Sequence, residues 1–317
     1  MTAAEPARPG GRRRLLGLIA GALILVFLGL GAAAGWDKVK AYDWQPQPAL
    51  AAGGFALLVG VYAASALGYV LILERLSGRH VDRPRFVAIW ARSMLGRYVP
   101  GNVLMVASRL VLGQEAGIAR RVSLAASVYE QTLNLGAAAA GGLVLLAAYG
   151  AASIGPAAWL VALVPLGLLV LHPASFGRLS AWALRKAGRE PLEALLGLRE
   201  LAWLFAWYLA TAVLLAVGVW MLVRSVAGPE AGGPAYVGLS FLASFVVSML
   251  AFVFPSGLGV REGAFALALA RNLPGGVAIA ISAGVRLVLT LAELAFVGAA
   301  VLLARSRAGR SSPGAAR

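Results

Sequence analysis

The sequence contains no cysteine, and His80 and His172 are its only histidines. Disulfide bonds, thiolate catalysis and cysteine-based metal sites are therefore excluded. Two histidines without a carboxylate on a shared face do not predict a metal centre, and we expect no cofactor. Charged residues make up only 13% of the chain, about half of the ~25% found in an ordinary soluble domain. This scarcity excludes a soluble globular enzyme as well as a disordered chain.

What the sequence has instead is apolar residues, which account for 60% of the 317 positions and give a mean hydropathy of +0.82. This length suits one polytopic membrane domain, because each span with its connection uses about 30 to 40 residues. The net charge is +15, from 28 Lys and Arg against 13 Asp and Glu. Since the arginines cluster between long apolar runs, they predict cytoplasmic loops that face anionic lipid rather than a nucleic-acid surface.

The apolar runs predict an all-α transmembrane bundle of about eight spans, each long enough to cross the bilayer or close to it. We predict a disordered cytoplasmic tail over 1–11, the membrane domain over 12–305 and a disordered basic tail over 306–317. Both termini are expected in the cytoplasm, because arginines flank the first and the last span. The predicted spans cover 15–35, 50–73, 122–149, 151–171, 198–223, 236–254, 258–270 and 277–303.

Broken or re-entrant helices are expected near 99–112 and 256–272, where glycine and proline interrupt the apolar runs. The segment 99–112 is too short to cross, whereas we prefer 258–270 as a short span with an outer turn over 272–276. Seven spans with two re-entrant elements is the alternative. The segment 176–186 has an apolar and a basic face, which predicts an interfacial helix.

The first candidate site combines Arg97, Pro100, Gly101 and Arg109. Proline and glycine free backbone amides, and a helix that starts after them directs its positive dipole end at the same place. Together with two arginines, this arrangement predicts a phosphate-binding site. The alternative is a tight turn with two arginines that extend to the interface.

The second candidate site contains Pro255, Gly257, Gly259, Arg261 and Glu262, in the corresponding position of the C-terminal half. Paired interrupted helices in two halves of a chain point to a binding site at the middle of the membrane. The alternative is a hairpin turn at the inner surface with a solvated Arg261 and Glu262.

Three further charges, Glu130, Arg286 and Glu293, lie within predicted spans. Charges at that depth are costly and are usually paired inside the bundle. We expect Glu130 to pair with Arg286 or Arg109, either as a structural ion pair or at a substrate site. We also expect Arg109 and Glu262 to line one water-accessible cavity that holds a lipid phosphate.

The motif Pro255–Glu262 (PSGLGVRE) resembles the Pro-Gly-Gly-x-Gly-x-x-Glu signature of the lysylphosphatidylglycerol synthase transmembrane-region family, with Ser256 in place of the second glycine. Arg97-Tyr98-Val99-Pro100-Gly101 is similar to the Arg-x-x-Pro-Gly block of that family, and Tyr129-Glu130-Gln131 resembles its acidic position. The resemblance covers about 12–305. It implies a flippase-like bacterial or archaeal membrane domain. The soluble aminoacyl-transferase domain of the full synthases is expected to be absent.

The resemblance implies a protein of the cytoplasmic membrane that binds and translocates a phosphate-bearing lipid, such as an aminoacylated phospholipid or a polyprenyl-phosphate-linked sugar. Its expected partners are membrane lipids, with a neighbouring glycosyltransferase or lipid synthase as a further candidate, and not nucleic acid. One alternative is a non-catalytic membrane subunit for such an enzyme. Another is a lipid-phosphate-modifying enzyme with Glu262 as general base, although no Asp-rich metal motif is present. We therefore expect no catalysis by this chain.

Overall fold

A computed structural model describes residues 36–98, 103–150, 178, 195–250 and 259–310 of the chain. All regular secondary structure in this part of the chain is helical, and the described residues contain no strand. Two short 3-10 helices occur at Leu95–Tyr98 and Gly228–Ala231. The α-helices are α1 (Trp36–Ala41), α2 (Pro48–Ser77), α3 (Arg83–Met94), α4 (Val103–Glu115), α5 (Arg120–Tyr149), α6 (Leu198–Ala227), α7 (Pro234–Leu250), α8 (Val260–Leu269) and α9 (Gly275–Arg310).

The helices α2, α5, α6 and α9 are each long and apolar enough to cross a membrane. At 1.5 Å per residue, a helix of 30 residues such as α2 extends about 45 Å, more than the ~30 Å hydrocarbon core. Their outward faces carry large apolar side chains such as Leu67, Leu143, Leu214 and Leu291, which are more than a third exposed. These faces suit contact with lipid, so the chain forms a multi-pass membrane protein.

Contacts at the helix termini define two ends of the bundle. At one end, Arg83 donates to the Glu74 carboxylate over 2.9 Å and Arg75 pairs with Glu200; we call this the basic end. At the opposite end, Tyr42 donates to the Ala227 carbonyl. Helices α2 and α6 are therefore antiparallel and pack along each other.

The first hairpin consists of α3, the 3-10 turn Leu95–Tyr98 and α4. It starts and finishes at the basic end, because Arg83 contacts Glu74 and Arg85 donates to the Glu115 carbonyl. With 12 and 13 residues, α3 and α4 reach only about 18 to 20 Å into the bundle. The first hairpin is thus re-entrant, and its turn lies within the protein.

The second hairpin consists of α7 and α8 and enters from the opposite end. The Tyr236 hydroxyl donates to the Ala268 carbonyl over 2.7 Å, and the Asn272 amide reaches the Ala231 carbonyl. With 10 residues, α8 is about 15 Å long, half the hydrocarbon thickness. Its N-terminus therefore begins at mid-depth, so that the two hairpins approach the middle of the bundle from opposite ends.

The structure confirms an all-α membrane fold and the long helices predicted over 50–73, 122–149, 198–223 and 277–303. With 10 residues α8 alone is too short to cross, and 251–258 lie outside the described residues, so the short span preferred over 258–270 stays a prediction. The turn over 272–276 does lie at the same end as the turn over 228–234, as expected. The predictions for 1–35, 151–171, 176–186 and 311–317 fall outside the described residues, apart from Arg178, so the count of eight spans stays a prediction.

Candidate functional site

Charged residues from both hairpins and from α9 meet near the middle of the long helices. Arg286 lies about 16 Å along α9 from its start at Gly275, and Glu130 lies about 15 Å along α5 from Arg120. The turn of the first hairpin provides Arg97, and the first turn of α8 provides Glu262. The fold thus brings together charges that are far apart in sequence.

Glu130 and Arg109 form a buried ion pair between α5 and the first hairpin, with side-chain exposures of 1% and 0%. The second Glu130 oxygen accepts from the Trp90 indole over 2.7 Å, and Arg109 Nε donates to Ser93 Oγ over 2.8 Å. The guanidinium also lies over the rings of Tyr69 and Trp90, at 4.9 and 5.4 Å. This pair is therefore satisfied by hydrogen bonds and cation–π contacts on all sides.

A second ion pair joins Arg97, in the turn of the first hairpin, to Glu293 on α9. The Glu293 side chain is fully buried, whereas the Arg97 side chain is 20% exposed. Close packing holds the turn in place, since a Cβ atom added at Gly96 would lie 2.7 Å from the Met105 nitrogen on α4. Only glycine allows this approach, which fixes Arg97 beside α9.

The Glu262 carboxylate organises the N-terminus of α8. It accepts from the Gly259 amide over 2.7 Å, and Gly259 has φ = 83°, a conformation that glycine adopts without strain. The same carboxylate lies 3.3 Å from Arg261 and 3.8 Å from Arg286. Ser282 on α9 donates to the Glu262 backbone carbonyl over 2.8 Å, which fastens α8 to α9.

A cavity of about 260 Å³ lies between the two hairpins and the long helices α2, α5, α6 and α9. Among the described residues, its charged lining is Arg97, Glu130, Arg261 and Arg286. Polar uncharged side chains also face it, while apolar residues complete the wall. These polar residues are Tyr62, Ser65, Gln131, Asn134, Thr211 and Ser248.

The ion pairs at this site leave positive charge in excess. In the described part of the chain, two arginines share the single carboxylate of Glu262, whereas Arg97 and Arg109 each have a carboxylate of their own. Arg286 Nη2 is buried and has no hydrogen-bond partner among the described residues. A buried donor without an acceptor is costly, so the Arg286 guanidinium keeps unused hydrogen-bonding capacity beside the cavity.

The structure divides the predicted site residues other than Arg109 into three groups. Arg97, Glu130, Arg261 and Arg286 line the cavity, and Glu130 pairs with Arg109 rather than with Arg286. Gly259 and Glu262 form the start of α8. Pro100, Gly101, Pro255 and Gly257 lie outside the described residues.

The expectation that Arg109 and Glu262 line one cavity is not what the structure shows. Both side chains lie behind its wall, at 0% and 3% exposure, because each is held by neighbouring charged or aromatic groups. Sequence reasoning also missed Asn134 and Thr211 as lining residues. Asn134 follows Glu130 by one helical turn, which places it on the same face; Thr211 carries no comparable signal.

The comparisons with known proteins agree with this architecture. No curated protein matches the chain. Residues 14–297 match the family described as the lysylphosphatidylglycerol synthase TM region, and this range includes both hairpins, α2, α5, α6 and the part of α9 before residue 298. The chain therefore belongs to the lysylphosphatidylglycerol synthase TM region family.

Proposed function

We propose that this protein binds the head group of a phosphate-bearing lipid in the cavity and moves that lipid across the cytoplasmic membrane. The observation that carries the proposal is the group of three arginines, Arg97, Arg261 and Arg286, on one cavity at mid-depth of the bundle. Charge at this depth is costly and marks substrate pathways in membrane proteins. A lipid phosphate is an anion that must itself cross the hydrocarbon.

The guanidinium group suits this task, because its planar fork matches phosphate oxygens. Among the described residues, Arg286 has an N–H donor without an acceptor, and it shares the Glu262 carboxylate with Arg261. The cavity of about 260 Å³ is slightly smaller than the ~300–1,000 Å³ pockets that hold drug-sized ligands. It therefore suits a head group whose acyl or prenyl chains stay in the bilayer.

The substrate classes that share this chemistry are aminoacylated phospholipids and polyprenyl-phosphate-linked sugars. In either case Arg97, Arg261 and Arg286 contact the phosphate, while Arg109 and Glu130 hold the first hairpin in place. We further propose that the basic end faces the cytoplasm, in accordance with the positive-inside rule. Together with the predicted span over 15–35, this orientation would place both termini in the cytoplasm.

The role proposed is transport rather than catalysis. A glycosyltransferase or lipid synthase that makes or consumes the lipid would act as a partner on the cytoplasmic side. The exposed arginines at the basic end, such as Arg79 and Arg85, offer a surface for it.

Lipid translocation in proteoliposomes tests the proposal. A fluorescent phosphatidylglycerol is placed in both leaflets, and the fraction bleached by an impermeant reductant is followed over time. We expect wild type to expose the inner-leaflet probe and Arg286→Gln to slow this at least tenfold. Arg271→Gln, an exposed arginine at the opposite end, is the matched control and should behave as wild type. Equal rates for Arg286→Gln and wild type would contradict the proposed site.

A further inference from the structure

The cavity offers more than arginines, since α5 presents two side-chain amides to it. Gln131 and Asn134 lie three residues apart, on one helical face, and both line the cavity. Thr211 and Ser248 add hydroxyl oxygens from α6 and α7. Each of these groups is uncharged and offers hydrogen-bonding atoms, which is the chemistry that recognises hydroxyl groups.

An ammonium group would find no available acidic partner among the described residues that line this cavity. Glu130 is the one carboxylate among the described lining residues, and both its oxygens are engaged by Trp90 and Arg109. The segments 99–102 and 251–258, which connect the two helices within each hairpin, have the sequences VPGN and AFVFPSGL and contain no acidic residue. A cationic head group would instead face Arg97, Arg261 and Arg286 and be repelled by them.

We propose that the cavity selects a phosphodiester lipid with one negative charge and an uncharged, hydroxyl-bearing head group, and that it discriminates against cationic aminoacyl head groups. This inference rests on the proposed function and narrows its substrate class. The arginines bind the phosphate, whose single negative charge balances the excess of one arginine over the carboxylates among the described residues of the site. The hydroxyl groups of the lipid head group form hydrogen bonds with the side-chain amides and hydroxyls of Gln131, Asn134, Thr211 and Ser248. A polyol phospholipid and a prenyl-phosphate sugar share this chemistry.

Binding of short-chain lipids to the purified protein in detergent tests the selection. The probes are dioctanoyl phosphatidylglycerol, farnesyl phosphoryl glucose and dioctanoyl lysyl-phosphatidylglycerol, each titrated while intrinsic tryptophan fluorescence is recorded. We expect at least one of the first two to bind on the order of tenfold more tightly than the lysylated lipid. If dioctanoyl phosphatidylglycerol binds more tightly of these two, the substrate is a glycerophospholipid; if farnesyl phosphoryl glucose does, it is a prenyl-phosphate sugar.

Two results separate the failure of this inference from the failure of the proposed function. If the lysylated lipid binds as tightly as the others or more tightly, and Arg286→Gln weakens all three, the selection is overturned while phosphate binding stands. If none of the probes binds, or if Arg286→Gln changes no affinity, the proposed function fails together with the selection.

A charge introduced into the cavity gives a second, independent test. Asn134→Asp keeps the size of the side chain and adds to the described lining a second carboxylate, besides that of Glu130, whose oxygens are engaged by Trp90 and Arg109. We expect it to shift the ratio of affinities toward the lysylated lipid by about tenfold. Gln114→Glu, an exposed amide on α4, is the matched control and should leave the ratio unchanged. Gln131→Glu repeats the test if Asn134→Asp does not fold. An unchanged ratio in the folded variant overturns the inference.

Discussion

Arg109 on the first hairpin and Glu130 on α5 form an ion pair in which neither side chain is more than 1% exposed. Because Glu130 also accepts from Trp90 and Arg109 donates to Ser93, one pair connects α3, α4 and α5. The pair thus holds the re-entrant first hairpin against the transmembrane helix α5, directly beside the cavity.

Removing one partner of this pair should destabilise the protein. Glu130→Gln leaves the Arg109 charge buried without its carboxylate, and such losses cost about 3–5 kcal/mol. We expect a lower melting temperature in detergent, measured by tryptophan fluorescence or light scattering. The double variant Arg109→Met with Glu130→Gln should recover most of the loss, because the unpaired charge is gone. A double variant as unstable as the single one would contradict this explanation.

The close approach within the first hairpin predicts a second effect on stability. Gly96→Ala adds a Cβ atom 2.7 Å from the Met105 backbone, so α4 must shift and we expect a loss of about 1–3 kcal/mol. Gly60→Ala is the matched control, since nothing lies within 4 Å of its added Cβ atom. That variant should be neutral or gain up to about 1 kcal/mol from helix propensity. Thermal unfolding of both variants checks the prediction, which fails if the two behave alike.

The absence of cysteine allows the orientation to be measured with single introduced thiols. Gly233→Cys lies at the opposite end and Glu115→Cys at the basic end, both at exposed positions. In intact cells we expect an impermeant maleimide to label the first and not the second. Both variants should react after permeabilisation of the cells. The wild-type protein, which has no cysteine, should react in neither intact nor permeabilised cells. Labelling of Glu115→Cys alone in intact cells would reverse the proposed orientation.

Neutralising Glu262 should affect binding and transport in opposite directions. Glu262→Gln retains an oxygen for the Gly259 amide but removes the carboxylate that Arg261 and Arg286 share. We therefore expect phosphatidylglycerol to bind several-fold more tightly, while translocation slows because release is impeded. Titration and the proteoliposome assay measure the two effects.

The control for this prediction is Glu230→Gln, which removes an exposed carboxylate at the opposite end. It should change neither the affinity for phosphatidylglycerol nor the rate of translocation. Weaker binding by Glu262→Gln, with an unchanged melting temperature, would show that Glu262 does not compete with the lipid phosphate.

The sequence was sufficient to predict the long helices and the two interrupted segments, because apolar runs and glycine-proline breaks are local signals. It was also sufficient to identify candidate site residues, because charge within or beside an apolar run is rare and costly. These residues are Arg97, Glu130, Arg261 and Arg286. Which charge pairs with which is a property of helix packing. The pairing of Arg97 with Glu293 joins residues almost 200 positions apart, and no local pattern contains that information. The same reason explains why Arg109 was expected on the cavity wall rather than behind it.

The helix α9 makes specific contacts with both hairpins on one of its faces. Ser282 and Arg286 contact Glu262 of α8, and Glu293 holds Arg97 of the first hairpin. Spacings of four and seven residues place all three side chains on the same side of α9. A rotation of α9, or its displacement by one helical turn, would therefore break contacts with both hairpins in a single step. The helix α9 therefore couples the two hairpins mechanically. Although they enter the bundle from opposite ends, neither hairpin can move independently of the other while these contacts persist.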